Sequence, residues 1–315
     1  MTYSLVARDP DTGELGGAIQ SAAFAAGSGT LWVEAGVGAV ATQSFTDPSY
    51  GPLCLLALRS GATAADALAG AVRRDRMSPY RQVGVVAATG TAAAFTGRSC
   101  IPAAGHVHRT NIACQANMMA SETVWPAMLA AFRGASGTMA ERLVTALEAA
   151  QAEGGDWRGQ EAGRVLVVAG TAGGMPHQDV ICDVRVDNHP EPVAELRRLV
   201  VRSQTLRAGR RPDGRTPDEA VEAARAAGLE EPHQALAGLG AAALAGDLDE
   251  ARRYLDRLLA CDPRYLDLVR RLPGIPDALG LEPVLPRLEG WGAPFSRPGA
   301  DRAGSRGRRS GPGRP

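Results

Sequence analysis

Strand-like and helix-like segments come in blocks along this chain, and that order constrains its fold more than any motif. Thr2 to Ala7 alternates and is β-rich, Asp9-Pro10-Asp11-Thr12-Gly13 is a turn cluster, and Leu15 to Ser21 reads as a second strand, so the chain opens with a hairpin. Leu31 to Gln43 (LWVEAGVGAVATQ) is apolar on both sides and reads as buried strand. Tyr50 to Arg59 and Ala64 to Arg74 read as two helices parted by Ser60-Gly61, with Thr63 capping the second. Arg81 to Ala88 and Thr91 to Thr96 form a hairpin across Thr89-Gly90, and Asn111 to Gln115 is a short strand. Glu122 to Phe132 and Met139 to Glu153 are helical, the second opened by a Thr138/Glu141 capping box. Arg164 to Ala169 and Val180 to Asp187 are strands, and Glu191 to Leu206 is a closing helix. Regular strand-helix alternation would predict a parallel doubly wound sheet. Blocks of each predict an α+β domain with two sheets sandwiched between helix layers. With aromatic residues at only 4%, its core must be built from Ala, Val and Leu.

Composition then changes. Residues 1–206 form the first domain, and Arg207 to Pro217 (RAGRRPDGRTP) reads as a linker. Residues 218–292 form a helical module, with Asp218 to Leu288 rich in Ala, Leu and Arg. Within it, Gly240 to Pro263 resembles part of a tetratricopeptide repeat, with Ala251, Leu255, Leu258 and Pro263 at the expected spacings. A solenoid needs about three repeats to bury its core, so this module must lean on the first domain or on a second subunit. Residues 293–315, rich in Gly, Pro, Ser and Arg, are predicted to be a disordered tail.

All 34 basic residues are Arg; the chain has no Lys. That excludes a Walker A lysine, a Schiff-base lysine and a lysine general base. Formal net charge is zero, which makes no electrostatic case for nucleic acid or a membrane surface. The Arg cluster from Arg197 to Arg215 lacks aromatic interleaving or a groove-reading motif. No apolar run reaches the ~18 residues of a membrane helix. Cys54, Cys100, Cys114, Cys182 and Cys261 are widely spaced without a CxxC pair, which fits reduced thiols in a cytoplasmic protein, Cys54 and Cys114 as core. Strand-like sequence from Tyr3, with Asp9 soon after, predicts no secretory leader. His106-Val107-His108 would place two imidazoles on one face of a strand, but no Asp, Glu or Cys cluster completes a metal set, so neither metal nor other cofactor is expected. Gly36 to Ala41 (GVGAVA) matches a dinucleotide fingerprint in letters only: Pro48 follows within seven residues and no acidic ribose partner stands at the proper distance. It reads as buried strand with close backbone approach.

The strongest candidate for chemistry is Thr2. Methionine aminopeptidase is expected to remove Met1 before so small a residue, leaving Thr2 at a free N-terminus. Its α-amine, with a pKa of roughly 7.7–8, can then take the hydroxyl proton. This is nucleophilic catalysis of the Thr/N-terminal-amine kind, and it requires no lysine.

Finer motifs narrow the reading. Thr2 to Asp9 (TYSLVARD), Gly36 to Gln43 (GVGAVATQ), Asp47 to Gly51 (DPSYG), Arg81-Gln82-Val83, Cys100 with Gly105-His106, Gly154 to Gly159 (GGDWRG) and Val186 to Pro190 (VDNHP) occur in order. Together they resemble, over roughly residues 1–205, the N-terminal-nucleophile (Ntn)-hydrolase-like family filed as domain of unknown function 1028. That resemblance implies a four-layer αββα sandwich, a homodimer, and a helical C-terminal extension. Two departures stand out: Ala116 replaces the family's usual Gly before Asn117, and Gln160-Glu161-Ala162-Gly163 lacks the usual Ser. Around Thr2, the candidate site residues are Ser21 at the end of the second strand, Gln43 and Ser44 to orient a substrate amide, and Asn117 as an oxyanion donor in a strand-to-helix loop. Asp156 and Arg158 flank a Gly-rich loop, and Arg158 or Arg81 would clamp a substrate carboxylate. The function expected is hydrolysis of a small amide or related acyl compound through Thr2. The alternative is a non-catalytic Ntn-fold binding protein whose helical module docks a partner, which the missing Lys and Ala162 favour. A third is a metal-dependent hydrolase built on His106 and His108.

Overall fold

The computed structural model describes residues 2–208, 216–226 and 228–271. Most of the expected linker, and everything from residue 272 including the expected disordered tail, lies outside the described residues. The chain divides into two compact units. Residues 2–208, 223–226 and 228–229 fall in the first; residues 216–222 and 230–271 fall in the second.

The first unit is α+β. Ten strands are β1 (Thr2–Arg8), β2 (Leu15–Ser21), β3 (Leu31–Glu34), β4 (Gly38–Ser44), β5 (Arg81–Ala87), β6 (Ala92–Thr96), β7 (Gly105–Arg109), β8 (Ile112–Ala116), β9 (Ala162–Val168) and β10 (Val180–Val186). Five helices accompany them: α1 (Tyr50–Arg59), α2 (Ala64–Arg74), α3 (Val124–Gly134), α4 (Met139–Ala152) and α5 (Pro192–Ala208). The strands form a six-stranded sheet, β10-β9-β2-β1-β8-β7, and a four-stranded sheet, β3-β4-β5-β6, with every neighbouring pair antiparallel. β1 therefore lies inside the larger sheet, hydrogen-bonded on both edges.

Local chemistry explains the turns. Asp9 Oδ1 accepts from the Asp11 and Thr12 amides, each at 2.9 Å, and Gly13 takes a left-handed φ of 75°, closing the β1–β2 hairpin. The long apolar run through Gln43 is not one strand. Gly36, at φ 71°, folds it back into the β3–β4 hairpin, because only residues 31–34 and 38–44 find ladder partners. Thr63 caps α2 by accepting from the Asp66 amide, and Thr138 and Glu141 form the expected capping box.

Apolar residues form three layers in this unit. Tyr3, Leu5 and Ala7 of β1 pack with Leu143 and Leu147 of α4 and Leu196 of α5. Val83 and Val85 of β5 pack with Leu55, Leu58 and Leu68 of α1 and α2. Val6, Leu15, Leu31, Ala39, Val86 and Leu166 meet between the two sheets. Small residues let these layers close up: a Cβ on Gly17 would sit 2.6 Å from Leu31 Cδ1 and 3.0 Å from the Leu5 carbonyl.

The second unit is helical, with a core of Val221, Ala235, Leu239, Ala242, Ala251, Tyr254, Leu255, Leu258 and Val269. It comprises α7 (Glu231–Ala245), α8 (Leu248–Cys261), α9 (Tyr265–Val269) and the start of α6 (Pro217–Ala226). Gly238 lets α7 approach α8, since a Cβ there would meet the Tyr254 ring at 2.6 Å. Among the described residues no helix is long and apolar enough to cross a membrane.

Candidate active site

Strand alternation decides which side chains meet. Along β1, Tyr3, Leu5 and Ala7 turn to the helices, so Thr2, Ser4 and Val6 turn into the layer between the sheets. Ser21 stands opposite Thr2, Gln115 opposite Ser4, and Gln43 opposite Gln82 on the facing sheet. The layer between the sheets therefore has two halves: apolar around Val6 and Leu31, and polar around Thr2. Thr2 is 5% exposed, and Ser4, Gln43, Gln82, Gln115 and Asn117 are fully buried.

The polar half is closed by hydrogen bonds that converge on Thr2. Gln43 Nε2 donates to the Thr2 carbonyl at 2.9 Å and to Gln82 Oε1 at 2.7 Å. Ser4 Oγ donates to Gln43 Oε1 at 2.6 Å, and Gln115 Nε2 donates to Ser4 Oγ at 2.7 Å. Asn117, directly after β8, exchanges main-chain bonds with Thr2: the Thr2 nitrogen donates to the Asn117 carbonyl at 3.3 Å, and the Asn117 amide returns to the Thr2 carbonyl at 3.1 Å. Its Nδ2 donates to Gln82 Oε1 at 2.8 Å and to the Thr2 carbonyl at 3.4 Å. The Thr2 hydroxyl donates to Ser21 Oγ at 3.0 Å. Each bond contributes only about 1 kcal/mol net, but an orphaned partner here costs about 1–3 kcal/mol. Gly84 makes room, since a Cβ there would lie 2.2 Å from Gln115 Oε1. Two buried acceptors, Asn117 Oδ1 and Gln115 Oε1, have no partner among the described residues.

Of the residues singled out in the sequence, Thr2, Ser21, Gln43 and Asn117 are thus brought together. Asn117 directs its amide nitrogen to Gln82 and the Thr2 carbonyl, which makes it a clamp on the nucleophile's own main chain rather than an open donor. Ser44 ends β4 at a left-handed φ of 70° and is hydrogen-bonded to Cys100. Burial pushes the Cys100 thiol up, only partly offset by Ser44. Arg81 is engaged elsewhere: its Nε donates to Asp75 at 2.7 Å, its Nη1 to the Phe45 carbonyl, and Asp47 lies 3.7 Å from Nη2. Burial works to raise the Asp75 carboxyl, yet the Arg81 bond and the Met77 amide outweigh it and hold it below its ordinary value. Arg158 donates through Nη2 to Asp156 at 2.7 Å and through Nε at 3.1 Å, with the Asp156 side chain wholly buried. These two residues pin the Gly-rich loop to each other.

Ser4, Gln82 and Gln115 belong to the network but were not among the candidate site residues read from the sequence. Their signal is a polar residue at an inward position of an otherwise apolar strand, as Gln82 is in Arg81–Ala87. Gln82 also extends the network outward, donating to Thr96 Oγ1 at 2.9 Å, which lies 2.8 Å from His106 Nδ1. His106 and His108 stack in β7 with centroids 6.3 Å apart. Among the described residues no group of three or more His, Cys, Asp or Glu side chains gathers that could hold a metal ion. His106 lines a cleft of about 550 Å³ with Thr96, Arg98, Cys100, Glu122 and Trp125.

No curated protein matches this chain. A solved structure does: the crystal structure of protein SPO2555 from Silicibacter pomeroyi, itself described under the family model DUF1028. It is 29% identical, with a TM-score of 0.58, over 67% of this chain and 87% of that one. The model of the family described as "Family of unknown function (DUF1028)" matches residues 2–196, which include β1, the whole polar network and the cleft. The chain therefore belongs to the DUF1028 family.

Proposed function

We propose that this protein is an N-terminal-nucleophile hydrolase that cleaves a small amide or related acyl compound through Thr2. The observation that carries the reading is the way Thr2 is held: nitrogen to Asn117, carbonyl to Gln43 and Asn117, hydroxyl to Ser21, all at the first described position of an interior strand. A buried polar network of this cost has no reason to converge on one Thr unless its placement matters. In this reading the first unit is a four-layer αββα sandwich of the Ntn class, and the second is a tetratricopeptide-like extension.

Removal of Met1 turns the Thr2 nitrogen into an α-amine within reach of its own hydroxyl, and with a pKa of roughly 7.7–8 a fraction of it is neutral and able to act as the base. Oγ1 attacks the substrate carbonyl carbon as its proton passes to that amine. The ammonium then gives the proton to the leaving nitrogen, the C–N bond breaks, and Thr2 is left as an ester. Water attacks the ester, its proton taken by the same amine, and releases the acid with Thr2 restored. The Asn117 carbonyl, already accepting from the Thr2 nitrogen, fixes the amine's direction, and Gln43 fixes the carbonyl behind it. The unpartnered Asn117 Oδ1 offers an acceptor for a substrate N–H.

Mass spectrometry of untagged protein, treated with an electrophilic β-lactone beside a Thr2→Ala variant, tests this. The expected result is a methionine-free chain with one adduct on Thr2 and none in the variant. Retained Met1, or a free Thr2 that stays unmodified by β-lactones of graded size, overturns it and leaves the binding-protein reading.

A further inference from the structure

The cleft beside the network has a lining that the Thr2 chemistry does not use. Its charged members are Arg98, from the segment after β6, and Glu122, just ahead of α3. Both are exposed, and neither has a hydrogen-bond or ion-pair partner among the described residues. No ion pair joins the two within 4 Å. Trp125, in the first turn of α3, supplies an aromatic wall. Its ring is seated against Gly105, where a Cβ would come within 2.3 Å of Cζ2.

The remaining titratable lining is uncharged near neutrality. Burial, and then neighbouring His108, hold His106 below its ordinary value. Burial pushes the Cys100 thiol up. Thr96 Oγ1, which accepts from Gln82 Nε2, lies 2.8 Å from His106 Nδ1. The cleft thus offers one cation, one anion, one imidazole and one aromatic wall. A free anion would be opposed by Glu122, and a free cation by Arg98. A ligand carrying both charges satisfies the set. The volume, about 550 Å³, is in the range of small-molecule sites and admits a molecule of dipeptide size.

We propose that this cleft binds a zwitterionic ligand of the amino-acid or dipeptide class, its carboxylate at Arg98 and its ammonium at Glu122 and the Trp125 face. Bidentate Arg–carboxylate pairing and cation–π contact are the interactions such termini make. Two strand spacings, roughly 10 Å, separate β7 from β1 across the sheet, so the ligand lies beside Thr2 rather than on it. The inference stands on the lining of the cleft and holds whether or not Thr2 is a nucleophile.

Titration of glycyl-leucine into full-length Thr2→Ala protein, read by the Trp125 indole 1H–15N resonance, tests it without turnover. The chain has four tryptophans, so a Trp125→Phe variant assigns the signal. The expected result is a saturable shift with glycyl-leucine that weakens at least tenfold for its N-acetyl form and its C-terminal amide. Arg98→Gln should abolish discrimination against the amide, and Glu122→Gln discrimination against the acetyl form. Both positions are exposed, so loss of folding is not expected to intervene. No shift at 10 mM, or equal shifts with all three compounds, overturns the proposal, as does discrimination that survives both substitutions.

Discussion

Gln43 Nε2 reaches from the four-stranded sheet to the main-chain carbonyl of Thr2 in the six-stranded sheet, at 2.9 Å. One side chain thereby ties the two sheets together at the proposed nucleophile. Gln43→Leu removes that tie, leaves the Ser4 hydroxyl proton without its acceptor, and takes one donor from Gln82 Oε1 and one from the Thr2 carbonyl, which both keep Asn117. The expected loss is about 2–4 kcal/mol, read as a lower urea midpoint with an unchanged slope.

Gly84→Ala tests the same region by volume. The added methyl would overlap the Gln115 amide, which is held by Ser4 and cannot swing away without breaking that bond. Destabilisation of about 1–3 kcal/mol is expected. Gly29→Ala, where an added Cβ meets nothing within 4 Å, is the control and should stay within about 0.5 kcal/mol in the same denaturation series.

Asp9 gives a pH dependence. Its burial favours the neutral acid, but the Thr12 and Asp11 amides and Arg142, 2.6 Å away, outweigh this and lower its pKa. A lowered folded-state pKa adds stability above the unfolded value of roughly 3.9 and loses it as pH falls through the folded value. Asp9→Asn should therefore cost about 1–2 kcal/mol at pH 7 and progressively less as pH falls below 4, by thermal denaturation across that range. A constant cost would show that packing, not charge, holds the turn.

The buried Asp156 carboxylate and its partner Arg158 predict an asymmetry. Arg158→Ala leaves a carboxylate with no exposed surface and no guanidinium and should cost about 3 kcal/mol or more. The double change Asp156→Asn with Arg158→Ala should recover part of that in a double-mutant cycle.

Thiol titration provides a check on the core. Of the five cysteines, only Cys261 is exposed. Burial pushes Cys54 up to about 12 and raises Cys114 as well. A disulfide reagent should label one thiol quickly in native protein and five after denaturation, with Cys261→Ser removing the fast phase.

The element order was legible because β-rich and helical stretches of this chain carry clean punctuation. Asp9 to Gly13, Thr63 and Thr138 each act where their side chains predict. The Gly36 reversal was not, since GVGAVA is apolar throughout and its alternation does not mark where pairing changes partner. At the site, Thr2, Ser21 and Gln43 were legible as ends of strands, and Asn117 as a residue of a strand-to-helix loop. Gln82 and Gln115 were hidden because they meet only across strands and sheets, a relation set by register. Arg81 read as a free cation in the sequence, and only geometry shows the carboxylate that holds it, whereas Asp156 and Arg158 stand close enough in sequence to be read as a pair pinning their loop.

The groups that fix Thr2 are amides and hydroxyls throughout: Ser4, Ser21, Gln43, Gln82, Gln115 and Asn117. None of them takes up or releases a proton anywhere near neutral pH. The first ionisable member of the chain is His106, at its far end beyond Thr96. Acid and base thus have no handle on the scaffold that holds the strand's first residue in place. In the proposed mechanism, a single proton-dependent step in turnover near neutrality would therefore report the Thr2 α-amine, with almost nothing from its surroundings folded into the curve.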